Sequence, residues 1–265
     1  MKLTILGSGS ALINKKRTSA SMMLEAGKKL LLFDCGWGAP LNIVRAGFDI
    51  QKLNQIFISH PHADHMGSLI NILQSIFVSG IFYPETKRTQ PLYLYGYRGF
   101  KNDLDTLIKM MSPELKIVKL PFKIKVLEYH QDKKTIDGLK IIGQEVHHFP
   151  DEFNSVAFRL DYLNKTFVYG GDCGYNDNLV KLCQNADLAV LEATLSHAYI
   201  KKFGAAPNHL SDFEAGIIAD KAKVKKLVLF HLYDKLKFSG NRLLAIKKNF
   251  KGKAYISRDL MKIKF

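Results

Sequence analysis

The stretch FISHPHADHMG, Phe57 to Gly67, sets three histidines and an aspartate within six consecutive positions, His60 to His65. No folding requirement explains such a cluster, and its spacing carries chemistry. His60 and His62 stand at i and i+2 where the apolar run QIFIS ends, and side chains two apart on an extended segment point to the same side. Both imidazoles can therefore face one ion. Asp64 and His65 follow on the turn into the next helix, where the chain curls back and presents a second pair. Imidazole nitrogen with carboxylate oxygen is the donor set of zinc, with manganese or iron as substitutes.

Outward from that stretch the chain alternates short apolar runs with turns. KLTIL opens it as a strand, SMMLEAG and KKLLLFDCG read as a hairpin bending at Gly27, and a helix is expected over Leu41–Ala46. Ser68–Phe77 reads as a helix, PLYLYG as a strand, and NDLDTLIKMM as a helix capped by Asn102 or Asp103. LKIVKL, FKIKVLEYH, LKIIGQEV, SVAFRLDY and KTFVYGGD read as strands. Helical NDNLVKLCQ, strand ADLAVLEAT, helix SDFEAGIIADKA and strand KKLVLFHLY follow, then a helix near Arg242–Asn249 and the terminal strands AYIS and LMKIKF. Strands outnumber helices and many are joined by short loops. The pattern predicts one α/β domain over residues 1–265: two packed mixed β-sheets with helices on the outer faces, an αββα sandwich.

Composition narrows the function classes. At 265 residues and 47% hydrophobic content the chain can bury a large core, and no run is expected to reach the roughly 20 apolar residues that span a bilayer. The polar turn in MKLTILGSGS comes too early for a signal peptide. Cys35, Cys173 and Cys183 form no paired spacing, so a cytoplasmic protein with reduced thiols is expected. The 39 lysines and arginines against 24 acids give a net charge of +15, which favours anionic partners such as nucleic acid or nucleotides and equally suits a solvated lysine surface.

The opening stretch resembles the signature of the metallo-β-lactamase superfamily, and later motifs carry the resemblance along nearly the whole chain. VHHFPDEFNSVAFRL, FVYGGDCG and LVLFHLYD occur where that family places its remaining ligands. The resemblance implies a metallo-β-lactamase fold with two divalent ions: His60, His62 and His148 on one, Asp64, His65 and His231 on the other, and Asp172 bridging. His148 is preferred to His147 because it adjoins FP. Two ions about 3.5–4 Å apart can activate hydroxide and clamp both oxygens of an ester, so hydrolysis is implied.

GSGSALINKKRTSASMMLE with LLLFDCG, and VLEATLSHAYIKKFGAAPNHLSDFEAG, are similar to the RNase Z-like branch. That resemblance implies that Glu192 and His209 form a relay beside the metals, the carboxylate orienting an imidazole that serves a phosphoryl oxygen, with Asp64 assisting as base. Absent the relay, Glu192 and His209 would be a buried hydrogen bond and a helix cap. A phosphodiester substrate fits the basic chain, with Lys16, Arg17, Lys201 and Lys202 flanking the cleft. RNase Z enzymes carry a long insertion before the bridging aspartate, whereas residues 149–171 here read as two plain strands. The expected substrate is thus a small phosphodiester, such as a cyclic nucleotide-like or sugar cyclic phosphate, or a short RNA. A hydrolase of lactones, thioesters, aryl sulfates or β-lactams, and a non-catalytic nucleic-acid binder, are the competing readings. His130 and His197 read as surface residues, Cys173 as packing and Trp37 as core or pocket wall. Leu195–Asn208 is a candidate lid, and Ile76–Thr89 reads equally as a substrate loop or a homodimer contact.

Overall fold

The computed structural model describes residues 1–83, 85, 88–117, 122–129, 132–149, 151–204, 208–233 and 241–265. Two seven-stranded mixed sheets face each other. The first is ordered β14 (Lys262–Lys264), β1 (Lys2–Gly7), β2 (Ser21–Ala26), β3 (Lys29–Cys35), β4 (Leu53–Phe57), β5 (Leu92–Tyr97), β6 (Ile124–Tyr129). The second is ordered β13 (Lys253–Ile256), β12 (Lys226–Phe230), β11 (Leu188–Glu192), β10 (Lys165–Tyr169), β9 (Ser155–Tyr162), β8 (Leu139–Val146), β7 (Lys133–Ile136). Each sheet joins an antiparallel part to a parallel part: β3 to β6 run parallel in the first, and β10 to β13 in the second. The strands β3, β4, β10, β11 and β12 deliver their C-terminal ends to one edge of the sandwich, where open α/β sheets bind ligands.

Aromatic side chains fill the space between the sheets. Phe33 stacks on Phe57 at 4.5 Å between ring centroids, and Phe57 on Tyr95 at 4.5 Å. From the opposite sheet Phe167 meets Phe33 edge-on at 5.1 Å, and Phe158 meets Phe57 at 5.2 Å. All of these rings are buried. Such pairs add about 0.5–1.5 kcal/mol each beyond the area they bury, which fixes the spacing of the two layers. A second apolar cluster lies on the other face of the second sheet, where Leu191 and Leu229 pack with Leu179 and Ile218 of α6 (Asp177–Leu182) and α8 (Asp212–Lys221).

Several sequence expectations change. The helix over NDLDTLIKMM, α4 (Phe100–Met111), begins earlier: its cap is Gly99 at φ 102° with no side-chain bond, so neither Asn102 nor Asp103 caps it. Asp103 instead accepts from the Tyr97 hydroxyl. LKIVKL opens as a helical turn, α5 (Glu114–Ile117), rather than a strand, because Leu115 N–H closes on the Ser112 carbonyl and Gln74 of α3 (Leu69–Phe82) holds Glu114. Residues 118–120 lie outside the described residues. The candidate lid contains α7 (His197–Phe203), capped by Ser196, and residues 205–207 of that segment are not described. Of Ile76–Thr89, residues 84, 86 and 87 are likewise not described.

The helical stretch Ala63–Phe82 is, by length and composition, long and apolar enough to cross a membrane, contrary to the expectation for the chain. Half of its most apolar window is buried inside the protein, and the helix is broken at Gly67–Ser68 into α2 (Ala63–Met66) and α3. It reads as a core helix.

A candidate dinuclear metal centre

The chain leaves β4 at Phe57 and descends through Ser59 and His60 to α2, which begins at Ala63 with His62 as its cap residue. Only glycine fits beside it. A Cβ on Gly36, at the end of β3, would stand 1.9 Å from the Asp64 carbonyl oxygen. That close approach lets the β3 end brace the short helix carrying Asp64 and His65. The two sheets are tied at the same level by the Val156 N–H bond to the Ser59 carbonyl, 2.9 Å.

Three histidines meet first. His62 Nδ1 lies 3.0 Å from His60 Nε2 and 3.4 Å from His148 Nε2. Their other nitrogens are engaged: His60 Nδ1 at 2.9 Å from Ser59 Oγ, and His148 Nδ1 donating to the Asn208 carbonyl at 2.8 Å. Such partners fix tautomer and ring orientation in metal sites. Burial pushes the pKa of His60 well below its ordinary value and lowers those of His62 and His148. All three are therefore neutral with lone pairs converging, which is the protonation state a ligand needs. His147 points outward and is exposed, so His148 is the one brought into the cluster.

The second group is built around carboxylates. His231 Nε2 lies 3.1 Å from Asp64 Oδ2 and 3.2 Å from Asp172 Oδ2. His231 adopts φ 58°, and its Nδ1 donates to Thr194 Oγ1 at 2.8 Å. His65 Nε2 faces Asp172 Oδ1 at 3.4 Å. Neither of these two buried atoms has a hydrogen-bond partner among the described residues. Buried polar atoms left without a partner are costly inside a protein, and a bound cation would supply the missing partner. The field has the matching sign. Burial works against charge on His65, yet Asp172, Asp64 and Asp34 together raise its pKa well above the ordinary value. Burial would raise Asp64 and Asp172. The surrounding imidazoles outweigh it, bringing Asp64 to about 2 and Asp172 well below the usual carboxylate range. The donors fit divalent ions: within His60/His62/His148, and within Asp64/His65/His231, every ligand atom lies within 4.8 Å of the others.

Glu192, at the end of β11, and His209 also meet here. His209 Nδ1 lies 3.1 Å from both Glu192 oxygens and 4.0 Å from Asp172 Oδ2. Burial would lower the His209 pKa, but Glu192 and Asp172 raise it to about 9. The alternative of a helix cap falls away, since Ser211 and Glu214 form a capping box on α8 without His209. Thr194 Oγ1 donates to Glu192 Oε2 at 2.5 Å while accepting from His231, so one hydroxyl couples the pair to the second donor group.

Besides Thr194, two contributors escaped the sequence reading. Asp34, buried at φ 48°, accepts from His65 Nδ1 (2.6 Å), Ser59 N–H and Oγ (2.8 Å each) and the Tyr169 hydroxyl (2.5 Å). The signal was a charged residue closing the apolar strand LLLFDCG. Phe153 is the other: it stacks on His60 at 5.8 Å and meets His62 edge-on at 4.7 Å, walling the first group. Cys173 is buried, and its N–H donates to Glu192 Oε1 at 2.8 Å. His197 is half-buried rather than a surface residue, stacked on Phe213 at 4.3 Å. His130 lies outside the described residues. Arg17 does not face the cleft: its guanidinium turns inward to Ser8 Oγ and the Ser257 carbonyl. Lys16, Lys201 and Lys202 are exposed.

Residues 1–235 match the family described as Anti-Pycsar protein Apyc1. Among curated proteins, the ribonuclease Z of Methanococcus aeolicus is 34% identical over 145 residues, which are 54% of this chain and 41% of that enzyme. The ribonuclease BN of Proteus mirabilis is 26% identical over an alignment covering 88% of this chain and 89% of that protein. Among solved structures, the metallo-β-lactamase fold protein YhfI of Bacillus subtilis superposes with a TM-score of 0.82 at 22% identity, covering 99% of this chain and 98% of its own. With this fold and these buried donor groups, the chain belongs to the Anti-Pycsar protein Apyc1 family and is a metal-dependent hydrolase of the metallo-β-lactamase fold.

Proposed function

We propose that the chain is a dinuclear phosphodiesterase acting on a small phosphodiester or the end of an RNA strand. His60, His62 and His148 would hold one ion, Asp64, His65 and His231 the second, and Asp172 would lie between them. Zinc suits this nitrogen-rich donor set. Bound ions would supply Lewis acidity toward the phosphoryl oxygens and lower the pKa of water.

The observation that carries the reading is the Glu192–His209 pair beside Asp172. Glu192 accepts the His209 Nδ1 proton and favours the imidazolium, which leaves the second ring nitrogen with a proton to give. A cationic donor at that position matches the oxygen of a phosphate diester, which carries negative charge in both ground and transition states. Asp64 keeps its charge and would serve as a hydrogen-bond acceptor for the attacking water. Phe153, stacked on His60, limits water on that side. The ribonuclease names of the relatives point to the same bond class. Residues 149–171, short and largely filled by β9 and β10, support a substrate gripped locally.

The test is His209→Ala against the parent on bis-p-nitrophenyl phosphate, with metal content measured on both. The reading expects the variant to retain its metal and lose at least 100-fold in turnover, within the range of a lost acid–base group. Full activity would remove the relay from the mechanism, and loss of metal would make His209 a ligand.

A further inference from the structure

An open groove of about 740 Å³ lies between the loop following β1 and helix α1 (Ala39–Arg45), with Ser68 and Asn71 of the segment after α2 in its lining. Its size falls within the range of about 300–1,000 Å³ typical of ligand sites. Trp37, the chain's single tryptophan, lines it and is 53% exposed. Lys15, Lys16 and Arg45 line it too, all exposed, and none of the three pairs with a carboxylate among the described residues.

The loop is built rather than loose. The carboxylate lining this groove, Asp259, accepts Ser8 N–H and Oγ (2.9 and 2.6 Å) and Thr18 N–H and Oγ1 (2.8 and 3.0 Å). Its charge is thereby spent inside the loop. Asn14 Oδ1 accepts the N–H groups of Lys16 and Arg17 at 2.9 Å each, which fixes the turn presenting the two lysines. The groove is left net positive, with a large flat ring exposed among the cations.

Both walls connect along the chain to segments that carry candidate ligands. The loop starts at Gly9, which bridges to Leu232 next to His231. The other wall starts at Gly36, against Asp64, and leads directly to Trp37. Spaced cations with one stacking face are what a single strand recognises: phosphates meet lysine and arginine, and any base can lie on an aromatic ring.

We propose that this groove binds single-stranded nucleic acid, with Trp37 stacking a base and Lys15, Lys16 and Arg45 contacting phosphates. The inference deepens the phosphodiesterase reading by extending its substrate beyond the scissile bond. The two fail separately, because hydrolysis of bis-p-nitrophenyl phosphate does not need the groove.

The experiment titrates the metal-loaded protein with a twelve-residue phosphorothioate oligothymidylate, following the fluorescence of Trp37 and the anisotropy of a labelled strand. Binding is expected to quench the tryptophan. Trp37→Ala should weaken the strand about tenfold, the scale of one base–aromatic stack, while Trp37→Phe should retain it. Lys15→Ala and Arg45→Ala should each lower the slope of log affinity against log salt by about 0.7. All four variants should hydrolyse bis-p-nitrophenyl phosphate at the parent rate. Equal affinity in Trp37→Ala, or a strand that binds without quenching, would overturn the proposal. So would a tryptophan signal that depends on protein concentration without the strand, since the occupant would then be a second copy of the chain.

Discussion

Asp34 and His65 stand 31 positions apart, yet their side chains meet at 2.6 Å in a fully buried contact. Asp34 closes β3 and His65 rides on α2, so the bond fixes a candidate ligand on one element by a carboxylate on another. Both carboxylate oxygens are engaged, by Ser59, His65 and Tyr169. Substituting Asp34→Asn keeps the shape and removes the charge. Metal affinity should fall by about 10–100-fold, measured by competition with a chromogenic chelator. Unchanged affinity would leave Asp34 with a folding role alone.

Gly36→Ala tests the same wall sterically. The added methyl would stand 1.9 Å from the Asp64 carbonyl oxygen, so α2 must move. The variant should lose much of its metal and be destabilised by about 1–3 kcal/mol in urea melts, the scale of overpacking. A fully metal-loaded variant of parental stability would contradict the close packing.

Glu192→Gln sets the direction of a pH shift. Glu192 is the main attraction that lifts His209 to about 9 against the opposing effect of burial. Without that charge the imidazolium loses its proton at lower pH. The alkaline limb of kcat/KM should therefore move down from near pH 9. A limb that stays in place would assign it to another group.

Asp187 gives a test of stability far from the centre. It accepts from Thr166 N–H at 2.9 Å and pairs with Lys225 at 2.9 Å and Lys165 at 3.4 Å. Burial would raise its pKa, but these partners lower it. Its folded value thus lies below the unfolded one, near 3.9. The stabilisation is present above about pH 4 and is lost as pH falls through the folded value. Asp187→Asn should cost about 1 kcal/mol at pH 7 and flatten the acid limb of the stability curve, read by thermal melts from pH 3 to 7.

What was legible in the sequence had local signals. The histidine cluster announces itself by spacing, the strands by apolar runs between turns, and α8 by the S-x-x-E pattern that Ser211 and Glu214 realise as a capping box. What stayed hidden depends on partners distant in sequence. LKIVKL looks like a strand until Gln74 and Ser112 hold its start as a helical turn. β7 is a short polar edge strand whose residues point to its pairing with β8 only in the fold. Asp34 and Thr194 look like ordinary strand-end residues, and their roles appear only when β3, β10 and β12 bring Tyr169 and His231 to them. His147 and His148 differ by one position. The register of β8 and the Asn208 carbonyl turn one inward and leave the other in solvent.

The central claim is phosphodiester hydrolysis at the clustered histidines and aspartates. The most direct measurement is p-nitrophenol release from bis-p-nitrophenyl phosphate by zinc-reconstituted parent protein and by His62→Ala, with bound metal counted in both. Turnover in the parent, with two ions bound, and its loss together with metal in His62→Ala is the predicted result. A parent that holds two ions and releases no p-nitrophenol would contradict the account.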